Sequence, residues 1–451
     1  MSNTLKQLID KEFVFEPYDF EQTEIDGIPL YTKHFSFAPC IHIRIRFNYG
    51  AIHDEPGKEG IAHFLEHMLF KGNNLYPTEQ LIDDFGKDIL LNTHNAHTGL
   101  FELVIKGKCL PHNFEKAIEG LFSQIHSSFL TQESYEQEMK VIVQEAWRKV
   151  LNQKFINHIK HTRKIRLANV PDRIRFFSAL GWPDTITNIT HEDIVKASKK
   201  FLVKENMEII LAGKMNVLGD SSAYETILKN AISKIPKGEK APLPYVPETI
   251  DLPTQPILDV TYSEIGLTEK NQTELGIGYN FARTLKKAGA PIIKEEGFFL
   301  STCILAARLV GDIVYEKLRT EHSWCYSAGA SMEINPDFYV FRIDSNLNSD
   351  HVEEAIEIID TILKDIANGQ YKEKFEQRKK LLVEATLAGE NTTAHIIDSL
   401  IDDIEVHNRV IKEREALETF TEVEFTDVQH MISTHLTQER KFTIIVRPSS
   451  K

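Results

Sequence analysis

Residues 60–70 read GIAHFLEHMLF and place two histidines and a glutamate in an otherwise apolar segment. On a helix, His63, Glu66 and His67 stand at i, i+3 and i+4 and therefore share one face. Two histidines four residues apart can offer ring nitrogens to a single metal ion. A glutamate beside them can take a proton from water without being a ligand itself. The pattern therefore predicts a metal site with a general base next to it.

The alternative is an ordinary core helix with stray polar residues. The chain has 18 histidines, and we put the chance that it contains this five-residue pattern at roughly one in twenty. Three titratable groups on one apolar face would, however, each need a buried hydrogen-bond partner of their own. This requirement favours the metal site over the stray polar residues.

Two histidines leave zinc short of the three protein ligands that it usually has in a catalytic site. Residues 131–150 (TQESYEQEMKVIVQEAWRKV) predict a helix with Glu138 and Glu145 seven positions apart on one face. Glu145 could complete a His–His–Glu site, and Glu138 could support the ligands through a hydrogen bond. Two exposed glutamates are the alternative, and taken alone that environment is the commoner one for acidic residues.

Length, charge and cysteine usage narrow the class of protein. A chain of 451 residues exceeds one small core and predicts two or three domains. A net charge of −14 excludes a general nucleic-acid binder, which needs a basic surface. Four scattered cysteines without a CxxC pair are typical of a reducing compartment. No signal or transit segment is recognisable and no apolar run approaches a membrane span, so we expect a cytoplasmic protein that does not contact a membrane.

The two halves of the chain follow a similar pattern. Residues 192–213 and 426–448 each predict a helix followed by an apolar, β-branched strand. Earlier in each half, a strand (40–51 and 272–283) precedes a long apolar helix and further strands. We therefore predict an α+β fold of two homologous domains, each a mostly antiparallel sheet with helices packed on one side.

A proline-rich segment between the halves predicts the domain boundaries. Six of the 17 prolines lie in residues 234–256, where the chain should be extended with little core of its own. We assign residues 1–235 to an N-terminal, metal-binding catalytic domain and residues 236–258 to the linker. Residues 259–451 then form a C-terminal domain, and its long helix lacks the His-x-x-Glu-His pattern, so we expect it to bind no metal.

The segments HFLEH (63–67) and EMKVIVQE (138–145) together resemble the inverted-motif zinc peptidases, the family of pitrilysin, insulin-degrading enzyme and mitochondrial processing peptidase. In that family a Glu-x6-Glu pair follows the histidines at about the distance seen here. The resemblance implies that His63, His67 and Glu145 bind one zinc ion per chain. It also implies that Glu66 is the general base and that Glu138 supports the ligands.

The resemblance extends to substrate-binding elements. Asn95-Ala96 matches an Asn-Ala pair that, in the family, lies just ahead of the strand on which substrates pair; we expect the flanking His94 and His97 to face solvent or the groove. The segment LRTEHSWCYSAG (318–329) resembles an Arg-x6-Tyr element, which implies that Arg319 and Tyr326 reach the active site from the second domain. This sequence departs from the family at Trp324-Cys325, where small or aliphatic residues and glycine are usual.

The resemblance implies a zinc metalloendopeptidase that cleaves oligopeptides or unfolded segments inside a closed chamber. A two-domain chain is half the length of the longest members, so we expect a homodimer; a heterodimer with a related subunit is the other arrangement. Two other functions fit less of the sequence. One is a catalytically silent structural or partner subunit of the same family, and the other is a zinc hydrolase or lyase of small molecules.

Overall fold

The positions of the strands define the architecture. A computed structural model describes residues 2–166, 178–219, 221–242, 257–282, 294–334, 338–389, 392–407 and 409–449. Within these ranges the strands are β1 (Glu21–Ile25), β2 (Ile28–His34), β3 (Ile41–Phe47), β4 (Asn95–Thr98), β5 (Leu103–Cys109), β6 (Met207–Gly213), β7 (Ile257–Thr261), β8 (Thr273–Ala282), β9 (Cys325–Ile334), β10 (Phe338–Leu347) and β11 (Lys441–Arg447).

The helices lie mostly between and after these strands. They are α1 (Ser2–Glu12), α2 (Ile61–Met68), α3 (Glu79–Asp88), α4 (Phe114–His126), α5 (Gln132–Val150), α6 (Gln153–Arg166), α7 (Pro183–Ile186), α8 (His191–Phe201), α9 (Ser221–Ile232), α10 (Lys294–Tyr315), α11 (Val352–Ala367), α12 (Lys372–Leu387), α13 (Thr393–His407), α14 (Glu413–Glu422) and α15 (Phe425–His435).

The two sheets share one topology. The first has the order β1-β2-β6-β3-β5-β4 and the second the order β7-β11-β8-β10-β9. If the additional edge strand β1 is left out, the remaining order β2-β6-β3-β5-β4 corresponds strand by strand to β7-β11-β8-β10-β9. Each sheet has one parallel pair, β2 with β6 and β7 with β11, and its other pairs are antiparallel. This arrangement confirms the predicted α+β fold with two mostly antiparallel sheets.

The matching ends of the halves have the same local cause. Helix α8 begins with a capping box, in which the Thr190 side chain accepts from the Asp193 amide and the Asp193 carboxylate accepts from the Thr190 amide. Asp427 likewise accepts from the Glu424 amide at the start of α15. Each helix is followed by the strand predicted from its apolar run, β6 in the first half and β11 in the second.

The first core lies between its sheet and α2, and it decides which face of α2 stays polar. Strand β3 contributes Ile43 and Ile45, both fully buried. Helix α2 directs Phe64, Leu65 and Met68 into the same core, each at 0 % exposure. The remaining stripe of the helix carries the two histidines and the glutamate, so burial of the apolar stripe aims those side chains at the groove beside α5 and β4.

Each sheet is also covered on its other face by a helix from the opposite half. Helix α13 packs Ile397 and Leu400 against Val104 and Ile210 of the first sheet. Helix α6 places Ile165 against the second sheet. The halves are therefore joined by exchanged helices in addition to the helix layer that was expected on one side of each sheet.

One apolar helix differs from the expectation about membrane-spanning segments. The segment Glu295–Glu321 is long and apolar enough to cross a membrane by length and composition alone, so the expectation that no run approaches that length is wrong. Of the 18-residue apolar window within it, 61 % is buried inside the protein. The apolar side chains of this segment, most of which is α10, pack in the second core, and this packing explains its composition. Helix α10 is the counterpart of α2 in the second half.

The predicted linker falls largely outside the described residues. Residues 243–256 of the segment 236–258 are not described. The boundaries at 235 and 259 therefore stay predictions.

The packing of α13 on the first sheet predicts a large loss of stability when its contact is removed. Leu400→Ala should lower the free energy of unfolding by about 2–5 kcal/mol, because it leaves a cavity at a fully buried position. Urea denaturation followed by circular dichroism measures this change.

The matched control is Leu381→Ala on α12, where the side chain is 54 % exposed. It should change stability by no more than about 0.5 kcal/mol. Equal effects of the two substitutions would contradict the packing of α13 against the sheet.

Candidate metal centre and active site

The start of α2 is fixed by a buried carboxylate. Gly60, which precedes the helix, has φ of 113°, a backbone conformation that favours glycine. The Asp54 carboxylate accepts from the backbone amides of Gly60 (2.8 Å) and Ala62 (3.0 Å). Burial raises the pKa of Asp54 to about 8, and these amide donors act in the opposite direction. Asp54 thereby pins the N-terminus of the helix that carries the histidines.

Packing of α5 against α2 brings the predicted ligands together. The rings of Phe64 and Tyr135 stack at 5.2 Å with an interplanar angle of 9°. One and three turns further along α5, Glu138 and Glu145 face the histidines. Glu145 Oε2 lies 3.9 Å from His63 Nε2 and 3.7 Å from His67 Nε2.

The second ring nitrogen of His67 is held by Glu138. His67 Nδ1 lies 3.0 Å from Glu138 Oε2, while Lys71 Nζ lies 2.5 Å from Glu138 Oε1. These two partners lower the pKa of Glu138, although its burial acts in the opposite direction. A carboxylate on Nδ1 fixes the ring orientation and directs Nε2 toward Glu145, the arrangement that orients histidine ligands in metal sites.

The two imidazoles differ in electrostatic environment. Burial, with smaller contributions from His67 and Lys149, lowers the pKa of His63 to about 3, so its ring is neutral and can serve as a ligand. Burial acts on His67 in the same direction, but the hydrogen bond to Glu138 and the nearby carboxylates raise its pKa overall. An ion at Nε2 would have to displace any proton from that atom.

The donor set fits a zinc ion. The ligand atoms of His63, His67 and Glu145 lie within 4.8 Å of one another, the one such group among the described residues. Two ligand atoms bound to one tetrahedral zinc ion lie about 3.4 Å apart. The distances from Glu145 Oε2 to the two Nε2 atoms, 3.9 and 3.7 Å, exceed that value by only a few tenths of an ångström. His63 Nδ1 is buried without a hydrogen-bond partner, and Nε2 is too far from Glu145 for a hydrogen bond. Nε2, the ring nitrogen that faces Glu145, is therefore open to an ion.

Glu66 lies beside this group and does not belong to it. Its Oε2 accepts a hydrogen bond of 2.6 Å from the hydroxyl of Thr98. Burial raises the pKa of Glu66, and the Thr98 bond acts to lower it. The hydrogen bond ties the predicted base to strand β4.

Strand β4 is the edge of the first sheet, as needed for a strand on which a peptide could pair. It hydrogen-bonds with β5 on one side, through the register Asn95 with Lys106 and Ala96 with Ile105. Its other side has no strand neighbour in the described sheet. Asn95 is exposed and Ala96 is buried in the core, and the hydrogen bond from Thr98 places the end of this strand beside Glu66.

The second half brings Arg319 and Tyr326 together. The Arg319 guanidinium lies 5.7 Å from the centre of the Tyr326 ring and donates a hydrogen bond of 3.1 Å to the Cys325 carbonyl. Tyr326 is 77 % exposed. Within the described residues, no hydrogen bond or ion pair joins this pair to the histidine cluster, so their predicted place in the active site remains an expectation.

Sequence reasoning missed three residues that position the site. Lys71 stands four residues after His67, beyond the end of α2, so helical spacing alone would not have placed it beside Glu138. Thr98 is two residues after Ala96 and therefore lies on the same face of β4, the face toward α2. Asp54 lies in a turn without a recognisable motif, and only the fold shows that it caps α2. His94 is partly exposed, packs against aromatic rings and bonds to Gln124, and its place in the groove stays a prediction.

Family comparisons cover both halves. Residues 31–169 match the family described as Insulinase (Peptidase family M16). Residues 188–382 match the family described as Peptidase M16 inactive domain. The chain is also 23 % identical over 412 residues to an uncharacterized zinc protease of Rickettsia bellii, covering 89 % of this chain and 91 % of that protein.

Solved structures show the same fold. A protease from Helicobacter pylori has a TM-score of 0.72 at 17 % identity, covering 95 % of this chain and all of that one. The periplasmic protease PqqL from Escherichia coli has a TM-score of 0.76 at 16 % identity, covering 97 % of this chain but 48 % of PqqL. The chain therefore belongs to peptidase family M16, as a pitrilysin-like member of half length.

Proposed function

We propose that this protein is a zinc metalloendopeptidase that hydrolyses oligopeptides or unfolded segments. The observation that carries the proposal is the convergence of His63, His67 and Glu145, with Glu66 next to them and not among the ligands. Named zinc proteases among the relatives support the same reaction class.

In this proposal, Nε2 of each histidine and the Glu145 carboxylate hold the metal. Zinc bound there would polarise the scissile carbonyl and make water more acidic. Glu66 takes the proton from the attacking water and later delivers it to the leaving amine. The buried setting that raises the pKa of Glu66 makes its carboxylate a stronger base than an exposed glutamate.

Strand β4 receives the substrate in an extended conformation. Backbone groups on its open side can pair with the peptide, which gives affinity without strong dependence on side chains. Asn95 and Ala96 would lie along this pairing, and Thr98 connects the same strand to the base. Binding and proton transfer are thus coupled through one short strand.

Arg319 and Tyr326 would act from the second half. A guanidinium and a phenol are suitable donors for the oxygen that gains negative charge during attack and for substrate carbonyls. We assign them this role from the Arg-x6-Tyr resemblance, with their mutual contact as support.

The proposal includes an assembly and a location. One chain carries both the metal residues and the Arg–Tyr pair, so two copies of it are sufficient to close a chamber around a peptide, and we propose a homodimer. A heterodimer with a related subunit would serve the same geometry. We place the protein in the cytoplasm on its scattered cysteines, and its net charge of −14 supports a function without nucleic-acid partners. We also propose that it has no membrane partner.

A catalytically silent subunit is the second candidate. It is favoured by the match of residues 188–382 to a family described as an inactive domain. That region carries no His/Cys/Asp/Glu group able to hold a metal in its described residues. The first half, which has the group, distinguishes the two candidates in the experiment that follows.

Glu66→Gln should abolish peptide cleavage while zinc remains bound. The substitution removes the base but no ligand, and a loss of at least about 100-fold in kcat is expected. Cleavage of a mixed pool of quenched peptides and zinc content by mass spectrometry are read on the same samples. Glu115→Gln, at an exposed position of α4, is the control with parent activity.

One zinc per chain in parent and variant, with turnover in the parent alone, supports the peptidase. Zinc in both with turnover in neither would favour the silent subunit. Absence of stoichiometric zinc from both would overturn the ligand assignment.

Thr98→Val should lower kcat by about 10-fold with little change in KM, because the base loses the hydroxyl that orients it. Thr98→Ser keeps the hydroxyl and should retain most of the activity. Equal kcat values for the valine and serine variants would show that this hydrogen bond does not position Glu66. Steady-state kinetics on a single peptide measures the difference.

Glu138→Gln should weaken zinc binding by about 10- to 100-fold, because a neutral amide supports the His67 ring less well than a carboxylate does. Glu136→Gln, exposed on the same helix, is the matched control. Competition with a chromogenic chelator measures both affinities. Unchanged affinity in Glu138→Gln would contradict the role of Glu138 in orienting His67.

A further inference from the structure

The loop ahead of Tyr326 is held by a stack of three rings. The Trp324 indole lies between the imidazoles of His322, at 4.2 Å and 22°, and His351, at 4.4 Å and 9°. His322 and Trp324 belong to the loop between α10 and β9, whereas His351 belongs to the turn after β10. The stack therefore joins two segments that are adjacent in space but separate in sequence.

Arg319 lies in a helical irregularity immediately before this loop. Residues Glu316–Glu321 continue α10 as a π-helical turn, a wider winding that is frequent at functional sites. Two residues after this turn stands Ser323, whose φ of 57° is unusual for a residue with a side chain. The Ser323 amide donates to the Arg319 carbonyl at 3.2 Å, which closes the turn.

Tyr326 occupies a second irregularity immediately after the loop. In the β9–β10 ladder, Ser327 pairs with Asn346 and Cys325 pairs with Leu347, so Tyr326 is the additional residue of a β-bulge. A bulge bends the strand and re-aims the side chain that it carries. Here it leaves the Tyr326 ring 77 % exposed.

Trp324 connects the two irregularities through its backbone as well. Its amide donates to the Leu318 carbonyl in the π-helical turn at 2.9 Å. Its carbonyl accepts from the Asn348 amide after β10 at 3.2 Å. A displaced Trp324 would therefore move the turn that carries Arg319 and the bulge that carries Tyr326 together.

We propose that Trp324, clamped between His322 and His351, is a positioning residue that sets the Arg319–Tyr326 pair for the transition state. The inference rests on the proposed peptidase function. It also explains why a large aromatic residue stands where small residues are usual in the family. The side chain fixes a loop that contains two strained or irregular backbone segments.

The adjacent Cys325 reports on the same clamp. Its side chain is 2 % exposed, and its carbonyl accepts the hydrogen bond from Arg319. Burial raises the pKa of the thiol, which keeps it unreactive. Loosening the loop should therefore expose Cys325 and release Arg319 in one event.

The first test compares Trp324→Leu, Trp324→Phe and His351→Leu with the parent in peptide cleavage. Trp324→Leu removes the stack and should lower kcat about 10-fold or more with KM within a factor of about three, because misplaced groups cost most in the transition state. Trp324→Phe retains an aromatic ring and should recover most of that loss. His351→Leu leaves the indole in place, removes one face of the stack and should give an intermediate kcat.

Phe37→Leu, at an aromatic position of the first half that is 59 % exposed, is the control and should match the parent. A purely structural role would lower the amount of folded protein without this order of kcat values. Parent kcat in Trp324→Leu would overturn the proposal.

The second test does not depend on activity. Labelling of the native parent and variants with a thiol reagent, followed by peptide mapping, measures the modification rate of Cys325. The rate should rise at least about 10-fold in Trp324→Leu and stay near the parent value in Trp324→Phe, because opening of the loop limits access. An unchanged rate in Trp324→Leu would overturn the clamp.

The two tests separate the inference from the function on which it rests. Faster labelling with an inactive parent would leave the clamp standing and remove the proposed peptidase function. An active parent with unchanged labelling and unchanged kcat in Trp324→Leu would overturn the clamp and leave the proposed peptidase function standing.

Discussion

The site depends on one helix–helix contact, the packing of α5 against α2. The Phe64–Tyr135 stack and the buried Ile142 and Ala146 hold the two helices in a single register. In that register, two carboxylates of α5 meet two imidazoles of α2. His63 and Glu138 are buried and His67 and Glu145 are half-buried, and such groups are costly unless they satisfy one another or bind a ligand. Glu138 satisfies one imidazole nitrogen through a hydrogen bond, whereas Glu145 and both Nε2 atoms remain available for the same ion. This arrangement of donors is the basis for the proposed metal site.

The two halves share one fold but carry different groups of the proposed site: the metal-binding residues and base in the first half, and the Arg319–Tyr326 pair in the second. Both halves repeat a sheet of the same strand order with an apolar helix packed on it, which is short in the first half (α2) and long in the second (α10). In the first half this helix carries two of the proposed ligands and the proposed base, and the edge strand β4 is hydrogen-bonded to that base through Thr98. In the second half the corresponding helix is apolar and ends in a π-helical turn, and the corresponding edge strand β9 begins with a bulge. In the second half, Arg319 and Tyr326 therefore lie in irregular backbone segments. Helices α6 and α13 each pack on the sheet of the opposite half and hold the two halves together.

The predictable part of the structure is the part encoded by short-range spacing. The i, i+4 spacing of His63 and His67 and the seven-residue spacing of Glu138 and Glu145 place each pair on one helical face, and apolar alternation predicts β3. Contacts between distant segments escape this reasoning. Asp54 caps α2 from a turn without a motif, and helix exchange depends on tertiary packing that no local pattern encodes. The bulge at Tyr326 depends on the register between β9 and β10. The Arg-x6-Tyr spacing therefore predicts that Arg319 and Tyr326 form a pair, but it does not predict the exposed orientation of the tyrosine ring.

The most direct measurement of the central claim is the anomalous scattering of crystals of the purified protein, recorded on both sides of the zinc absorption edge. The account predicts one strong anomalous peak per chain, bounded by Nε2 of His63, Nε2 of His67 and the carboxylate of Glu145, with Glu66 beside the peak but not bonded to it. A peak elsewhere in the chain, or none at this position in crystals grown with zinc, would contradict the assignment of a metal centre to the groove between α2 and α5.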